Sequence, residues 1–185
     1  QGRSLEGFIS PGFYSLKPTT TLNEFITESV NRFVNTLVEL KPGQNSQSIS
    51  LTNYEVLTLA SIIQRETLAE EEMSLIASVL YNRLAAGMKL ETDPTVQYGI
   101  RYVPAQETWW KTPLTFDDLS TISEYNTYQV YGLPPGPICS PGKEAIQAAF
   151  APAETGYFFF RAKCDGSLTH NFATTYEEHL ANGCE

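Results

Sequence analysis

The chain has 185 residues and a mass of 20.6 kDa, which corresponds to one domain or a tight pair of subdomains. Hydrophobic residues make up 42% and aromatic residues 12% of the sequence, so a real core is expected and disorder is excluded as the main state. The 12 basic and 21 acidic residues give a net charge of −9, which argues against a nucleic-acid partner. The sequence contains no run of about 18 apolar residues, the length that a membrane-spanning helix needs.

The first half of the chain carries the signature of three helix starts. In each case a Thr is followed three positions later by Glu, which is the capping-box pattern, and the boxes begin at Thr21, Thr52 and Thr67. Apolar residues follow each box at helical spacing. The predicted elements are an irregular lead-in over 1–20, a helix over 21–40, and a pair of helices over 52–87.

The second half, over 92–182, changes to strands, groove loops and short helices. The predicted elements are a turn and short strand over 92–99, an aromatic loop over 101–113, a helical turn over 115–119, a helix from Ser140 to Phe150, a hairpin of 157–162 with 168–172, and a last helix over 175–182. Because the helices come first and the strands later, the predicted fold class is α+β. The helical N-terminal half would pack on a small, mostly antiparallel sheet.

Glu66 is the residue that stands out physically. At the predicted end of a helix, it shares one face with the apolar residues Leu59, Ile62 and Ile63. A carboxyl group in that position should be desolvated and should have a raised pKa, which a general acid at neutral pH requires. The alternative interpretation is a structural Glu66 that pairs with Arg83 or with a backbone amide.

Other carboxylates compete with Glu66 for a catalytic role. They are Glu91, Asp93, Asp117, Asp118 and Glu124. A hydrolase with two working carboxylates would need one of them near Glu66. The pair at 117–118 falls at a predicted helix start, where acidic residues stabilise the helix, and Asp93 precedes a proline and is suited to a turn bond.

Three further features of the second half leave two interpretations each. The segment 125–137 is rich in Pro, Gly and Tyr, so it forms either a groove wall on which sugar rings can stack or a packed structural loop. His170 is either a structural partner or a site residue. The three cysteines lack the spacing of a metal site, and Cys164 and Cys184 form either a disulfide in an oxidising compartment or inert thiols.

Five motifs occur in an order and at a spacing typical of one family. They are Ala60–Thr67, Ala77–Leu84, Leu90–Gly99, Tyr125–Tyr128 and Gly132–Ile138. Together they resemble the endolytic murein transglycosylases of the MltG (YceG-like) family, over about residues 5–182. The resemblance implies an enzyme that cleaves nascent peptidoglycan strands between MurNAc and GlcNAc. It leaves a 1,6-anhydro-MurNAc end and is proposed to terminate strand elongation.

The resemblance also implies roles for single residues. The catalytic Glu of the family falls on Glu66. The residues predicted to contact the glycan are Gln64, Thr92, Asp93, Tyr125, Asn126, Thr127, Tyr128, Leu133, Pro134, His170 and Asn171. We expect no cofactor and no metal. The expected partners are peptidoglycan glycan strands, together with cell-wall synthesis enzymes.

Family members carry a transmembrane helix and a LysM-like subdomain ahead of the catalytic part. This chain begins at Gln1 and shows neither, so we expect it to be the catalytic domain, over 1–185, of a protein on the extracytoplasmic face of the bacterial cell membrane. Three departures from the family pattern stand out. Many relatives have Glu where this chain has Gln64 and Asn where it has Ser140. Relatives also have an Asp in the segment that corresponds to Pro11–Tyr14, and this chain has none there.

Two rival functions remain at this point. One is a peptidoglycan hydrolase, which would use water as the nucleophile and would need a second carboxylate about 5–9.5 Å from Glu66. The other is a glycan-binding module without activity, in which Glu66 is structural.

Overall fold

A computed structural model describes residues 4–40 and 49–184 of the chain. The described part is an α+β fold, as predicted, with the helices first and a two-stranded sheet near the end. The helices are α1 Leu22–Leu40, α2 Asn53–Glu66, α3 Met73–Ala85, α4 Asp93–Ile100, α5 Phe116–Ser120, α6 Lys143–Phe150 and α7 Tyr176–Ala181; the strands are β1 Phe159–Ala162 and β2 His170–Ala173.

The capping signals set the helices that lead to the site. Boxes form at Thr21 and at Thr52, whose amides donate to the side chains of Glu24 and Glu55 at 2.7 Å. The backbone at Thr67 is extended, with φ −144° and ψ 148°, and so α2 ends at Glu66 as predicted.

Two predictions about the region after α2 are wrong. The hydroxyl of Thr67 accepts a hydrogen bond from the amide of Ala69 at 3.0 Å, so it does not cap a helix. Residues 70–72 form a short 3-10 turn instead, and α3 begins at Met73. Residues 93–100 form a helix and not a strand, because Asp93 and Pro94 occupy its first turn, where proline loses no hydrogen bond.

The prediction that Ser140 caps a helix is also wrong. The N-cap of α6 is Gly142, two residues later, and glycine has no side chain that could accept a hydrogen bond. The Oε1 atom of Gln64 on α2 accepts the amide proton of Gly142 itself at 2.7 Å, which is the bond that a Glu at the third helical position makes in a capping box. A residue 78 positions away therefore supplies one half of a capping box.

The core is built around α2. Its Leu59, Ile62 and Ile63 are fully buried, and α2 packs against α3, α4 and α6. Burial of each such side chain contributes about 1.5–3 kcal/mol to folding. Tyr81 links α3 to α6, because its hydroxyl donates a hydrogen bond to the carbonyl of Ala149 at 2.9 Å. The C-terminal end of α2, with Glu66, is thereby held rigidly at the edge of this core.

The predicted hairpin is confirmed. Strands β1 and β2 are antiparallel, with Phe159 opposite Ala173, and α7 packs against both. Cys164 and Cys184 form a disulfide with a Cα–Cα distance of 5.6 Å, which ties the hairpin loop to the end of α7. Within the described residues no helix is long and apolar enough to cross a membrane.

Candidate active site

Glu66 lines a cleft at the end of α2. The residue keeps partial exposure, but its Oε1 is buried and has no hydrogen-bond partner in the described part of the chain. A buried polar atom without a partner is unusual and costs free energy. The bond to Arg83 or to a backbone amide, which a purely structural Glu66 would need, is absent for this oxygen.

The surroundings keep the Glu66 carboxyl group protonated. Burial raises its pKa to about 8, and the negative charge of Asp93 adds to the rise. The charges of Arg83 and Arg65 act in the opposite direction but are weaker. At neutral pH the group is therefore mostly a neutral acid with a proton to donate, as the position of Glu66 on an apolar helix face predicts.

The cleft has two walls and a volume of about 460 Å³. The first, which we call the helical wall, consists of Glu66, Arg83, Glu91, Asp93 and Tyr128. The second, the hairpin wall, comes from β1, β2 and α7 and consists of Phe159, Phe160, Arg161, Ala162, His170, Tyr176 and His179. The cleft is open to solvent, so an extended polymer has access to it.

Arg83 links the two walls of the cleft by hydrogen bonds. Its Nε donates to the carbonyl of Phe158, next to β1, at 2.6 Å, and its Nη1 donates to the carbonyl of Leu90 at 2.6 Å. The same Nη1 lies 3.9 Å from the carboxylate of Glu91. Because these donors are engaged by carbonyls, Arg83 acts on Glu66 through its charge.

Asp93 and Tyr128 form a polar pair in the helical wall. The hydroxyl of Tyr128 donates to Oδ1 of Asp93 at 2.7 Å. Burial, followed by this bond, raises the pKa of Tyr128 above its ordinary value, so the hydroxyl stays protonated. The pair thus holds an exposed carboxylate near Glu66.

His170 is fixed by a buried carboxylate. Glu72 accepts hydrogen bonds from two groups of this residue, the backbone amide at 2.9 Å and the ring Nδ1 at 2.8 Å. Both side chains are about nine-tenths buried, with exposed fractions of 11% and 9%. The contact sets the rotamer of His170 and anchors β2 to the turn before α3.

Comparison with known proteins gives the family. The sequence model of the YceG-like family matches residues 1–184. The chain belongs to the YceG-like family. It is 35% identical, over 95% of its length, to an endolytic murein transglycosylase of Bacillus subtilis, and 31% identical, over 98%, to one of Streptococcus pneumoniae. A crystal structure of a YceG-like protein from Listeria monocytogenes superposes with a TM-score of 0.81 at 36% identity over 96% of the chain.

This YceG-like chain spans about half or less of the relatives that it matches. It covers 46% of the Bacillus protein, 32% of the Streptococcus protein and 55% of the Listeria chain.

Among the predicted glycan contacts, Asp93, Tyr128 and His170 line the cleft with Glu66. Gln64 lies on the other side of α2, where it accepts the amide proton of Gly142 at the start of α6, and Asn171 lies opposite Arg161 in the sheet but outside the cleft.

Three predicted contacts are buried behind the helical wall. Thr92 and Thr127 bond to each other through their hydroxyls at 3.2 Å. Asn126 donates to the carbonyls of Leu119 and Thr121 and accepts the amide proton of Tyr128 at 2.9 Å. These residues therefore position Asp93 and Tyr128; direct contact with a glycan stays a prediction.

The predicted groove wall is divided between different surfaces. Tyr125 lines a separate cavity together with Tyr98 and two tryptophans. Leu133 and Pro134 line a groove beside the start of α2. Only Tyr128 of this segment reaches the cleft, so the remaining groove-wall contacts stay predictions.

Sequence reasoning did not assign two residues that the structure brings to the site. Nothing local in the sequence points from Glu72 to a partner 98 positions away. His179 lines the cleft with its Nδ1 buried and without a partner in the described part of the chain. Burial, followed by the charges of Arg161 and Arg83, lowers the pKa of His179. In the described ranges no group of three or more His, Cys, Asp or Glu is placed to hold a metal ion.

Proposed function

We propose that this chain is the catalytic domain of an endolytic peptidoglycan lytic transglycosylase, with Glu66 as its catalytic residue. The observation that carries the proposal is the carboxyl group of Glu66 in an open cleft, whose buried Oε1 has no hydrogen-bond partner and whose pKa is about 8. The names of the relatives support the reaction class, because the Bacillus and Streptococcus proteins are endolytic murein transglycosylases.

Glu66 would act twice in one catalytic cycle. As the neutral acid it donates its proton to the glycosidic oxygen between MurNAc and GlcNAc, and the bond from that oxygen to C1 breaks. As the carboxylate it then takes the proton of the C6 hydroxyl of the same MurNAc while O6 bonds to C1. The product is a 1,6-anhydro ring, and Glu66 regains its proton.

This chemistry needs only one carboxyl group. The nucleophile belongs to the substrate, so its effective concentration at C1 is high and no bound water is required. The charges of Arg83 and Arg65 would stabilise the carboxylate that exists between the two steps. The carboxylate of Asp93, held by Tyr128, would stabilise the positive charge that develops at C1.

The place of action follows from the substrate. The chain would work on the extracytoplasmic face of the bacterial cell membrane, within a longer protein that a transmembrane helix anchors, and would end strand elongation beside the cell-wall synthesis enzymes. The Cys164–Cys184 disulfide supports an oxidising compartment.

Mass spectrometry of digested peptidoglycan tests the proposal. The expected product is a 1,6-anhydro-MurNAc end, which is lighter by one water than a reducing end. A reducing end would instead indicate the hydrolase, for which Asp93 and Glu91 in the same cleft are the available second carboxylates. Glycan binding without any product would leave the non-catalytic module.

A further inference from the structure

A second cavity, with a volume of about 770 Å³, shares no lining residue with the active-site cleft. Four aromatic side chains line it: Tyr98, Trp109, Trp110 and Tyr125. The mechanism proposed above uses none of them. A concave surface with this density of aromatic rings is typical of a binding site.

The aromatic walls of this cavity are held in place by the rest of the molecule. The guanidinium carbon of Arg65 lies 3.8 Å from the ring centroid of Trp110. The side chain of Gln97 donates to the carbonyl of Lys111 at 2.9 Å, which fixes the end of the loop that carries Trp109 and Trp110 to α4. Trp109 lies 5.4 Å from Tyr102 and still leaves 60% of its surface in solvent. An exposed ring on a loop that is anchored at its neighbours can bind a ligand with a smaller loss of conformational entropy.

The polar residues of the cavity indicate the class of ligand. Two carboxylates, Glu6 and Glu124, and one guanidinium, Arg101, border the aromatic rings. This mixture offers acceptors and donors for several hydroxyl groups but no concentrated positive charge for a phosphate. An aromatic ring has a negative face, which attracts the C–H bonds on the flat side of a pyranose. Burial raises the pKa of the Cys139 thiol in the same cavity to about 12, so no reactive thiolate is present.

The helix α4 contributes residues to both the cavity and the cleft. Asp93, at the first position of this helix, faces the cleft, whereas Tyr98 lines the cavity. A rise of about 1.5 Å per residue separates the two by roughly 7.5 Å along the helix axis. On α2, Arg65 supports Trp110 and the next residue is the proposed acid, Glu66. The two concavities therefore share α2 and α4 as supporting helices.

We infer that this cavity is a saccharide subsite, which binds sugar units of the strand beyond the bond that Glu66 cleaves. The inference rests on the proposed function for the identity of the polymer. It assigns Trp109 to holding the strand and not to the chemistry.

Intrinsic fluorescence offers a direct test, because the chain has only two tryptophans and both line this cavity. The probe is a glycan strand of alternating GlcNAc and MurNAc, freed of stem peptides, added to the Glu66→Gln variant so that it is not cleaved. We expect a saturable change in tryptophan emission. Adding Trp109→Ala should weaken the affinity about three- to tenfold, the range of one stacking contact, whereas Trp109→Phe should retain most of it.

Kinetics on the active chain give the second readout. Trp109→Ala should raise KM for long strands by the same factor and leave kcat unchanged, since the lost contact is the same in ground and transition states. The shortest strand that is still cleaved should show no change. The matched control is Phe116→Ala, which removes an aromatic ring that is 90% exposed on α5 and lines none of these sites.

Two results would overturn the subsite. One is an unchanged affinity and KM in Trp109→Ala; the other is an effect that appears only with strands bearing stem peptides, which would make the cavity a peptide site. These failures are separate from a failure of the proposed function. If anhydro products form and Trp109→Ala has no effect, the proposed activity stands and the subsite is wrong. If the saccharide changes the tryptophan emission but no product forms, the subsite stands and the proposed activity is wrong.

Discussion

The helical wall and the hairpin wall of the cleft are built in different ways. Three of the five residues of the helical wall lie on α2, α3 and α4, and α2 and α3 carry most of the fully buried core. The hairpin wall consists of a two-stranded sheet with an exposed loop and of the short helix α7, and a pair of strands has little stability of its own. Side-chain contacts from Arg83 and Glu72, together with the disulfide, hold it in place.

Two buried glutamates show what this difference means for function. Glu66, in the helical wall, has an oxygen without any hydrogen-bond partner, whereas both oxygens of Glu72, behind the hairpin wall, have one. Burial alone does not distinguish an acid from a structural anchor; the partners do. The rigid wall tolerates an unsatisfied group that can do chemistry, while the weaker wall needs its glutamate as an attachment point.

The largest expected effect comes from the Glu66→Gln variant. The amide can neither donate a proton to the glycosidic oxygen nor take one from the C6 hydroxyl, so release of anhydro-MurNAc should fall by about 10²–10⁴-fold or more. Glycan affinity should persist, because the other residues of the cleft remain. Activity within about tenfold of the unmodified chain would show that Glu66 is structural. The control is Glu70→Gln, an exposed glutamate outside the cleft.

The same substitution should change how stability depends on pH. The pKa of Glu66 is raised in the folded chain from 4.5 to about 8, so between these values the unfolded chain binds fewer protons than the folded one. The unmodified chain therefore loses stability as pH rises through this window, by up to about 1.4 kcal/mol per pH unit. Glu66→Gln does not titrate and should be the more stable protein at pH 8.

Denaturant unfolding at pH 4 and pH 8 measures this difference. At pH 4 both carboxyl and amide are neutral, and the two proteins should have similar free energies of unfolding. A gap that stays constant between pH 4 and pH 8 would contradict the raised pKa.

The hairpin wall should respond to loss of the disulfide. Replacing both Cys164 and Cys184 with Ser opens a loop closed over a separation of 20 residues, which should reduce the free energy of unfolding by about 3 kcal/mol. Both side chains are exposed, so serine itself should cost little. Treating the unmodified chain with a reductant should reproduce the effect, and the double variant should no longer respond to it.

The contrast between the walls also explains what the sequence could predict. Capping boxes and apolar spacing are local, and they correctly predicted α1, α2, the end of α2 and the raised pKa of Glu66. The hairpin was predicted as an element, but its place beside Glu66 depends on pairs such as Arg83 with Phe158, 75 residues apart. Motif residues such as Thr92 and Asn126 could not be told from cleft residues, because only packing decides which way a side chain points.

The smallest expected effect separates Glu72 from its exposed neighbour Glu71. In Glu72→Gln one of the two acceptors for His170 becomes an amide donor, so either the backbone amide loses its partner or the ring must change its tautomer to accept from the amide. We expect a loss of about 1–2 kcal/mol in the free energy of unfolding and a fall in kcat/KM well below that of Glu66→Gln. Glu71→Gln is the matched control, since this side chain is exposed on the same turn.

A double-mutant cycle with His170→Ala decides whether Glu72 acts through His170. If Glu72 positions this ring against the glycan, the two substitutions should be clearly less than additive in kcat/KM, because each removes the same contact. Additive losses would mean that Glu72 only stabilises the fold. Because the ring of His170 lines the cleft while Glu72 lies outside it, coupling in activity would show that the anchor of the hairpin wall also sets the geometry opposite Glu66.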